Sequence, residues 1–174
     1  NQSDWMKASV ISSKYYIPLT LIKNELLEKS CDLNPFGSQR LYWIDSGMFS
    51  SFGINEHIDI FNFNKLPEDN FFLMAYNYNT DTEIHGYNIK AMEQLCNTKP
   101  TYVCRATLFG GKPEHIKRFN EKYYYYIYKS ITRGNIGTEE SIYTIVDILH
   151  PELVHKYLMP YGDVKLYLDT IRSR

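Results

Sequence analysis

Residues 41–47, with the sequence LYWIDSG, place one carboxylate where it could bind a ligand. The first four residues favour a buried strand, and Asp45 follows them directly, with Ser46 and Gly47 beyond it. In open α/β sheets ligands bind outside the carboxyl ends of strands, where a carboxylate can hold a hard divalent cation that neutralises a diphosphate. A lone acid before a glycine is also typical of an ordinary turn after a strand. On this motif alone the turn is the better interpretation.

A second candidate is the stretch TLFGGKPEHI at 107–116, which has two glycines between a strand and a helix. The free N–H groups and the dipole at a helix N-terminus attract anions and sugar hydroxyls. The spacing is not that of a phosphate-binding P-loop or of a dinucleotide fingerprint. Gly110 and Gly111 therefore indicate either a ligand-binding junction or a tight turn, and the two interpretations are balanced.

Two acids, Glu139 and Glu140, open a predicted helix directly after Thr138. Thr138 is a typical N-cap residue, and acids in the first turn complement the helix dipole, so a structural explanation is sufficient. A carboxylate held at this position also stays ionised. It could accept a hydrogen bond from a sugar hydroxyl or act as a general base.

Three further polar residues alternate in the stretch DTEIHGY at 81–87, namely Asp81, Glu83 and His85. In an extended chain all three would share one face and could form a metal or substrate cluster. The alternative is an exposed loop in which His85, beside Gly86, is a turn residue. Arg105 is a charged residue within a predicted strand. It either points to solvent or to an acid, or it binds a phosphate bidentately in a cleft.

The elements that must position these residues can be predicted from apolar spacing and turn residues. Residues 15–31 predict a helix, with Leu19, Ile22 and Leu26 close to helical spacing. Strands are predicted at 41–45, 71–76 and 101–109, a short helix at 85–96, a long helix at 113–130, and a last helix from Thr138 to just before Pro151. The apolar stripes of the last two helices predict core contacts by Ile116, Phe119, Tyr123, Tyr126 and Ile127, and by Ile142, Ile145, Val146 and Leu149.

Strands that alternate with helices predict an α/β fold with a mixed or parallel sheet. The 174 residues contain no repeat and no linker, so residues 1–174 are predicted to form a single domain. The three cysteines form no CxxC pair, which argues against a disulfide framework or a structural zinc site and is typical of a reducing compartment.

The charge balance argues against nucleic acid as a partner. The formal net charge is −1, from 19 basic and 20 acidic residues, whereas binding to a phosphate backbone needs a basic surplus or a basic stripe. The densest basic run, KRF at 117–119, lies within a predicted helix near acids. No apolar run reaches membrane-spanning length, so no transmembrane segment is expected. The sequence does not define an oligomeric state.

Taken in order, the words WIDSG, EIHGY, CRATLFGG, GTEESIYTI and HPEL resemble the bacterial HtrL/YibB family of WlaTC-type glycosyltransferase-like proteins. The resemblance runs from about Tyr15 to His155. The order of these motifs is also similar to the pattern of GT-A glycosyltransferases. The resemblance therefore implies a GT-A-like mixed sheet flanked by helices. The implied activity is transfer of a sugar from a nucleotide-sugar donor to a surface-glycan acceptor of the lipopolysaccharide or capsule type. The implied location is the cytoplasm, or the periphery of the inner membrane.

The resemblance also assigns roles to residues. It implies that Asp45 binds a divalent metal, Mn²⁺ or Mg²⁺, and that Glu139 or Glu140 faces the acceptor as a catalytic carboxylate. The substrate-binding residues that it implies are Trp43, Gly47, His85, Arg105, Gly110 and Gly111.

Two departures from the family pattern bear on this assignment. The usual D-x-D is D-x-G here, so a second metal ligand comes from elsewhere or no metal is used. Family chains also begin earlier, so this chain is expected to be the C-terminal portion of the domain, without its N-terminal nucleotide-binding part. The D-x-G keeps open an alternative, a non-catalytic glycan-binding or interaction domain on a degenerate glycosyltransferase scaffold.

Overall fold

The computed structural model describes residues 14–48, 61–159 and 168–172. The strands in these ranges are β1 (Leu41–Ile44), β2 (Phe71–Asn77), β3 (Glu83–Ile84), β4 (Tyr87–Asn88), β5 (Tyr102–Gly111) and β6 (Val154–Met159). The helices are α1 (Tyr16–Leu21), α2 (Lys23–Leu33), α3 (Ile89–Cys96), α4 (Pro113–Thr132) and α5 (Glu139–Leu149). None of the helices in this part of the chain is long and apolar enough to cross a membrane.

Four strands form one mixed sheet in the order β1-β5-β2-β6. β5 runs antiparallel to both of its neighbours, β1 and β2, whereas β2 and β6 are parallel. The short strands β3 and β4 form a separate hairpin. The predicted α/β class with a mixed sheet and flanking helices is therefore confirmed.

The sheet separates two apolar clusters. On one face it packs against α2, α3, α4 and α5, and Phe71 of β2 stacks on Phe119 of α4 with ring centroids 3.9 Å apart. On the other face a smaller cluster forms around Phe72, Met74 and Leu108. The apolar stripes predicted for α4 and α5 face the first cluster: their residues are buried there, except Ile127 and Leu149, which are partly buried. These two stripe predictions are confirmed.

The predicted helix at 15–31 is two helices, and its predicted apolar spacing does not mark the buried side. α1 ends at Leu21 and α2 begins at Lys23, while Leu19 is 66% exposed and lies with Ile22 and Leu26 among the exposed apolar residues. The buried residues of α2 are Asn24, Leu27 and Cys31, and the Asn24 side chain donates to Asn120 Oδ1 on α4 at 2.7 Å. Leu27 and Cys31 are four residues apart and mark the buried side, which the predicted stripe of Leu19, Ile22 and Leu26 missed.

Two predicted boundaries are also wrong. The short helix begins at Ile89 rather than at residue 85, because the Asn88 side chain caps it by accepting from the Ala91 N–H at 3.0 Å. The residues before it form the β3–β4 hairpin, whose turn is His85-Gly86, both with positive φ. His85 is thus a turn residue, as the second interpretation had it, but it is buried, so the exposed loop of that interpretation is wrong. β5 continues through Gly111, so Gly110 and Gly111 belong to the strand and not to a turn.

The three cysteines are free and buried. Burial, assisted by nearby Asp32, raises the pKa of Cys31 to about 11, and burial alone raises the pKa of Cys96 to about 12. At pH 8 only about one thiol in a thousand at Cys31 would be ionised. We expect a colorimetric disulfide reagent to react with none of the three thiols in the folded protein and with all three in urea. One fast-reacting thiol in the folded protein would contradict this burial.

Candidate functional site

The candidate site lies at the edge of β5, where β1 ends. Among the residues that the structure describes, β1 pairs with residues 108–111 of β5, and it ends at Ile44. Beyond that point side chains of α5 cover the edge of β5: the Cys104 N–H donates to Thr144 Oγ1 at 3.0 Å, and the Ala106 N–H donates to Glu140 Oε1 at 3.1 Å. The strand end and the N-terminus of α5 therefore meet at the middle of β5.

At this meeting point a lysine joins two carboxylates. Lys23 Nζ lies 2.9 Å and 3.0 Å from the two oxygens of Asp45, 2.9 Å from Glu139 Oε1, and 3.4 Å from the Ala106 carbonyl oxygen. The indole N–H of Trp43 donates to Asp45 Oδ1 at 2.6 Å. We call these five residues the Lys23 cluster. It fixes both oxygens of the strand-end acid.

A second group, which we call the Glu140 cluster, lies beside the first. Glu140 Oε2 contacts His85 Nδ1, and Glu140 Oε1 lies 3.5 Å from Arg105 Nε. The Arg105 guanidinium lies over the ring of Tyr76, 5.4 Å from its centroid, and the His85 ring meets Tyr78 edge-on at 5.7 Å. The Glu140 cluster therefore combines a carboxylate, a guanidinium and an imidazole, each held by a neighbour.

The hairpin turn brings His85 to this position. Its carbonyl accepts a hydrogen bond from the Thr138 N–H at 3.0 Å, just before α5 begins. Gly137 allows this approach, since a Cβ at that residue would lie 2.7 Å from the same His85 oxygen. Thr138 occupies the predicted N-cap position of α5, but its side chain makes no capping hydrogen bond.

Burial and neighbouring charges shift the pKa values of the central groups. Burial alone would lower the pKa of Lys23, but Glu139 and Asp45 outweigh it and raise that pKa. Burial raises the pKa of Glu139, with Lys23 opposing the rise and Glu140 adding to it. In Glu140 burial acts in the same direction, but the His85 hydrogen bond, the Arg105 charge and the Ala106 N–H outweigh it and lower its pKa.

These opposite shifts predict opposite pH dependences for Glu139→Gln and Glu140→Gln. The lowered pKa of Glu140 stabilises the folded protein above the ordinary value of 4.5, and that stabilisation is lost as the pH falls through the lowered value. The raised pKa of Glu139 acts in reverse: the folded protein gains stability as the pH falls through the raised value toward 4.5.

Urea unfolding of wild type and both variants from pH 7 to pH 3 measures the effect. As the pH falls, the free energy of unfolding that Glu140→Gln loses relative to wild type should become smaller. Over the same range the free energy of unfolding of wild type should rise relative to that of Glu139→Gln. If the stability difference from wild type changed with pH in the same direction in both variants, the opposite pKa shifts of Glu139 and Glu140 would be contradicted.

Six of the residues implied by the resemblance meet at this edge: Trp43, Asp45, His85, Arg105, Glu139 and Glu140. Gly47 lies in the turn that follows, where the Met48 N–H donates to the Asp45 carbonyl at 2.9 Å. The two glycines of β5 lie elsewhere, because Gly110 and Gly111 pair with Tyr42 and Leu41 at the start of β1. Gly110 is three residues from Thr107, whose carbonyl accepts from the Asp45 N–H, so it lies about 10 Å along the strand.

Asp81, Glu83 and His85 do not form the metal or substrate cluster that was one of their two interpretations. Asp81 is paired with Lys99 at 2.6 Å on the surface, and the Glu83 side chain accepts from the Gly86 N–H. Only His85 reaches the site. The short hairpin explains the separation, since its turn directs His85 toward α5.

Lys23 was not predicted from the sequence, although it lies at the centre of the site. In the sequence it is an ordinary charged residue in a helical stretch. Its partner Asp45 lies 22 residues further along the chain, and Glu139 lies much further still. The ring partners Tyr76 and Tyr78 lie at and beyond the end of β2. Only the tertiary pairing of β1, β2 and β5 reveals these three residues.

The residues described at this site do not fit a divalent metal ion while Lys23 is in place. Lys23 and Trp43 already contact the oxygens of Asp45, and Gly47 occupies the position of the second acid in a D-x-D motif. Across residues 14–48, 61–159 and 168–172, no group of three His, Cys, Asp or Glu side chains is placed to hold a metal ion. Without rearrangement of Lys23, Asp45 is thus a partner of an ammonium group.

Comparison with known proteins does not place the chain in a family. No family model matches it, and no curated protein matches it. The class that can be stated is the one defined by the described residues, an α/β protein with a mixed four-stranded sheet flanked by helices.

Proposed function

We propose that this chain is part of a GT-A-like glycosyltransferase that moves a sugar from a nucleotide-sugar donor to a surface-glycan acceptor of the lipopolysaccharide or capsule type. One observation supports this most: Asp45, His85, Arg105 and the Glu139–Glu140 pair come from four separate segments of the family pattern and converge at one edge of β5. The proposed location is the cytoplasm, or the periphery of the inner membrane.

Arg105 is the proposed contact for the leaving diphosphate. A guanidinium presents planar donors that match phosphate oxygens. The Arg105 side chain is 26% exposed, and it is oriented by Glu140 and by the ring of Tyr76. As the bond between the sugar and the diphosphate breaks, negative charge grows on the leaving oxygen, and a fixed cation stabilises it.

Asp45 is the proposed partner of the acceptor hydroxyl. Among the three carboxylates its side chain has the largest exposed fraction, 31%, compared with 13% for Glu140 and 4% for Glu139. Lys23 and Trp43 hold its oxygens in place, so it can orient a hydroxyl that attacks the anomeric carbon. Glu139 is buried and pairs with Lys23 at 2.9 Å, and we assign it the role of positioning that lysine.

The experiment is a thermal-shift and turnover screen of nucleotide sugars on the full-length protein. We expect one donor to stabilise the protein, by about 2.7 kcal/mol at a hundredfold excess over its Kd, and to be consumed when acceptor is added. Arg105→Gln and Asp45→Asn should each lower turnover by about a hundredfold. Asp81→Asn, which changes an exposed acid outside the site, is the matched control. Wild-type turnover in both site variants would remove these residues from the mechanism.

A non-catalytic glycan-binding domain is the second candidate. The observation that favours it is that Lys23 and Trp43 hold the Asp45 oxygens from within the protein. Binding of a glycan by a full-length protein that neither binds nor consumes any nucleotide sugar would establish this function instead.

A further inference from the structure

Lys23 has the surroundings of a bound cation. An ammonium group has three N–H donors, and here three oxygen-bearing groups surround it: the carboxylates of Asp45 and Glu139 and the carbonyl of Ala106. The Lys23 side chain is only 15% exposed. Its three donors are therefore committed to the protein, and it is better suited to holding the site together than to binding a passing ligand.

The groups around Lys23 are also those that a hard divalent ion selects, since Mg²⁺ and Mn²⁺ prefer carboxylate and carbonyl oxygens. Asp45 Oδ1 and Glu139 Oε1 each lie 2.9 Å from one nitrogen, so they are no further apart than twice that distance. The spacing of this oxygen set is thus set by the ammonium group at its centre.

Neighbouring residues hold the lysine there. Lys23 is the first residue of α2, the helix that packs beside β1. Lys23 Nζ also lies 5.9 Å from the centroid of the Trp43 ring, and the indole N–H of the same residue fixes Asp45. An aromatic ring and two carboxylates together favour a single positive charge at this point.

We propose that Lys23 is the built-in cation of this site: its ammonium group takes the place of a divalent metal ion between Asp45 and Glu139 and excludes that ion. If Lys23 replaces the metal ion, sugar transfer needs no added metal, and this consequence rests on the proposed function. The exclusion of divalent ions from the site does not depend on the proposed function.

A Mn²⁺ titration of the full-length protein, followed by the electron paramagnetic resonance signal of free Mn²⁺, tests the exclusion. Wild type and Lys23→Arg should show no saturable binding that depends on Asp45. Lys23→Ala removes the like charge and leaves the oxygens in place, so it should gain one Mn²⁺ site at least about tenfold tighter than any site in wild type. Adding Asp45→Asn to Lys23→Ala should abolish that site. Lys29→Ala, which removes a surface lysine paired with Glu25, is the matched control and should gain nothing.

Saturable Mn²⁺ binding by wild type that Asp45→Asn removes would overturn the proposal. So would a folded Lys23→Ala that gains no site. Should Lys23→Ala not fold, wild type and its Asp45→Asn variant decide: equal Mn²⁺ binding in the two supports the exclusion, and binding lost in Asp45→Asn overturns it.

Turnover separates this proposal from the proposed function. If one nucleotide sugar is consumed equally well with Mn²⁺ and with EDTA, both are supported. If turnover is lost in EDTA, the built-in cation is wrong while the glycosyltransferase stands. If no donor is consumed, the glycosyltransferase is wrong, and the Mn²⁺ titration still decides the role of Lys23.

Discussion

Replacing Lys23 by methionine is expected to lower the free energy of unfolding by about 3 kcal/mol at pH 7. Methionine keeps the length of the side chain and removes its charge. Asp45 and Glu139, both 2.9 Å from the lysine nitrogen, would then face each other without the cation between them. Removing one partner of a buried ion pair leaves an uncompensated charge, which costs far more than losing a surface pair. Urea unfolding followed by circular dichroism measures the change.

The control for this prediction is Lys29→Met. Lys29 is also paired, with Glu25 at 2.8 Å, but both side chains are well exposed, so solvent screens the pair and we expect hardly any loss. Combining Lys23→Met with Glu139→Gln should recover part of the loss, because the second change removes one of the stranded charges. A loss in Lys23→Met as small as that in Lys29→Met would show that the Lys23 cluster does not stabilise the fold.

Replacing Gly110 by alanine is expected to cost about 3 kcal/mol or more. A Cβ at this residue would lie 2.2 Å from the carbonyl oxygen of Leu41 and 2.8 Å from Tyr42 Cα. Both are backbone atoms of β1, so they can move only if β1 separates from β5. The φ of +143° adds strain for any residue with a side chain.

Gly37→Ala is the matched control, since Gly37 has a φ of +61° and no atom within 4 Å of the added Cβ. It therefore reports the strain of a left-handed residue alone, about 1 kcal/mol. The larger loss expected for Gly110→Ala in urea unfolding contains both the close approach of β1 to β5 and the greater strain at a φ of +143°, which residues with a side chain rarely adopt. Equal losses would mean that the two strands do not lie this close.

Local sequence patterns predicted the strands and helices whose buried residues recur at regular spacing. β2 and β5 are short runs of β-formers, and α4 and α5 have apolar stripes that face the core. Asp45 was correctly expected just after a strand, because strand-forming residues end at Ile44. In each case residues close together in the sequence are enough to predict the element.

The pairing of strands could not be predicted in the same way. Antiparallel pairing of β1 with β5 places Asp45 beside Thr107 and the two glycines at the opposite end of β1. A sequence pattern gives the faces of a strand but not the direction of its neighbour. The site was therefore predicted with Gly110 and Gly111 in it and Lys23 left out.

The anchoring of Glu140 and Thr144 to backbone N–H groups of β5 has a consequence for how the site is lost. Among the described residues, Cys104 and Ala106 lie in the part of β5 that β1 does not reach, so side chains of α5 alone accept from their N–H groups. These contacts are lost only when α5 leaves β5. Because α5 also buries Ile142, Ile145 and Val146 in the larger core cluster, it cannot leave without opening that core. Hydrogen exchange at the two amides should then require the opening of the core, and the site and the fold would melt as one cooperative unit.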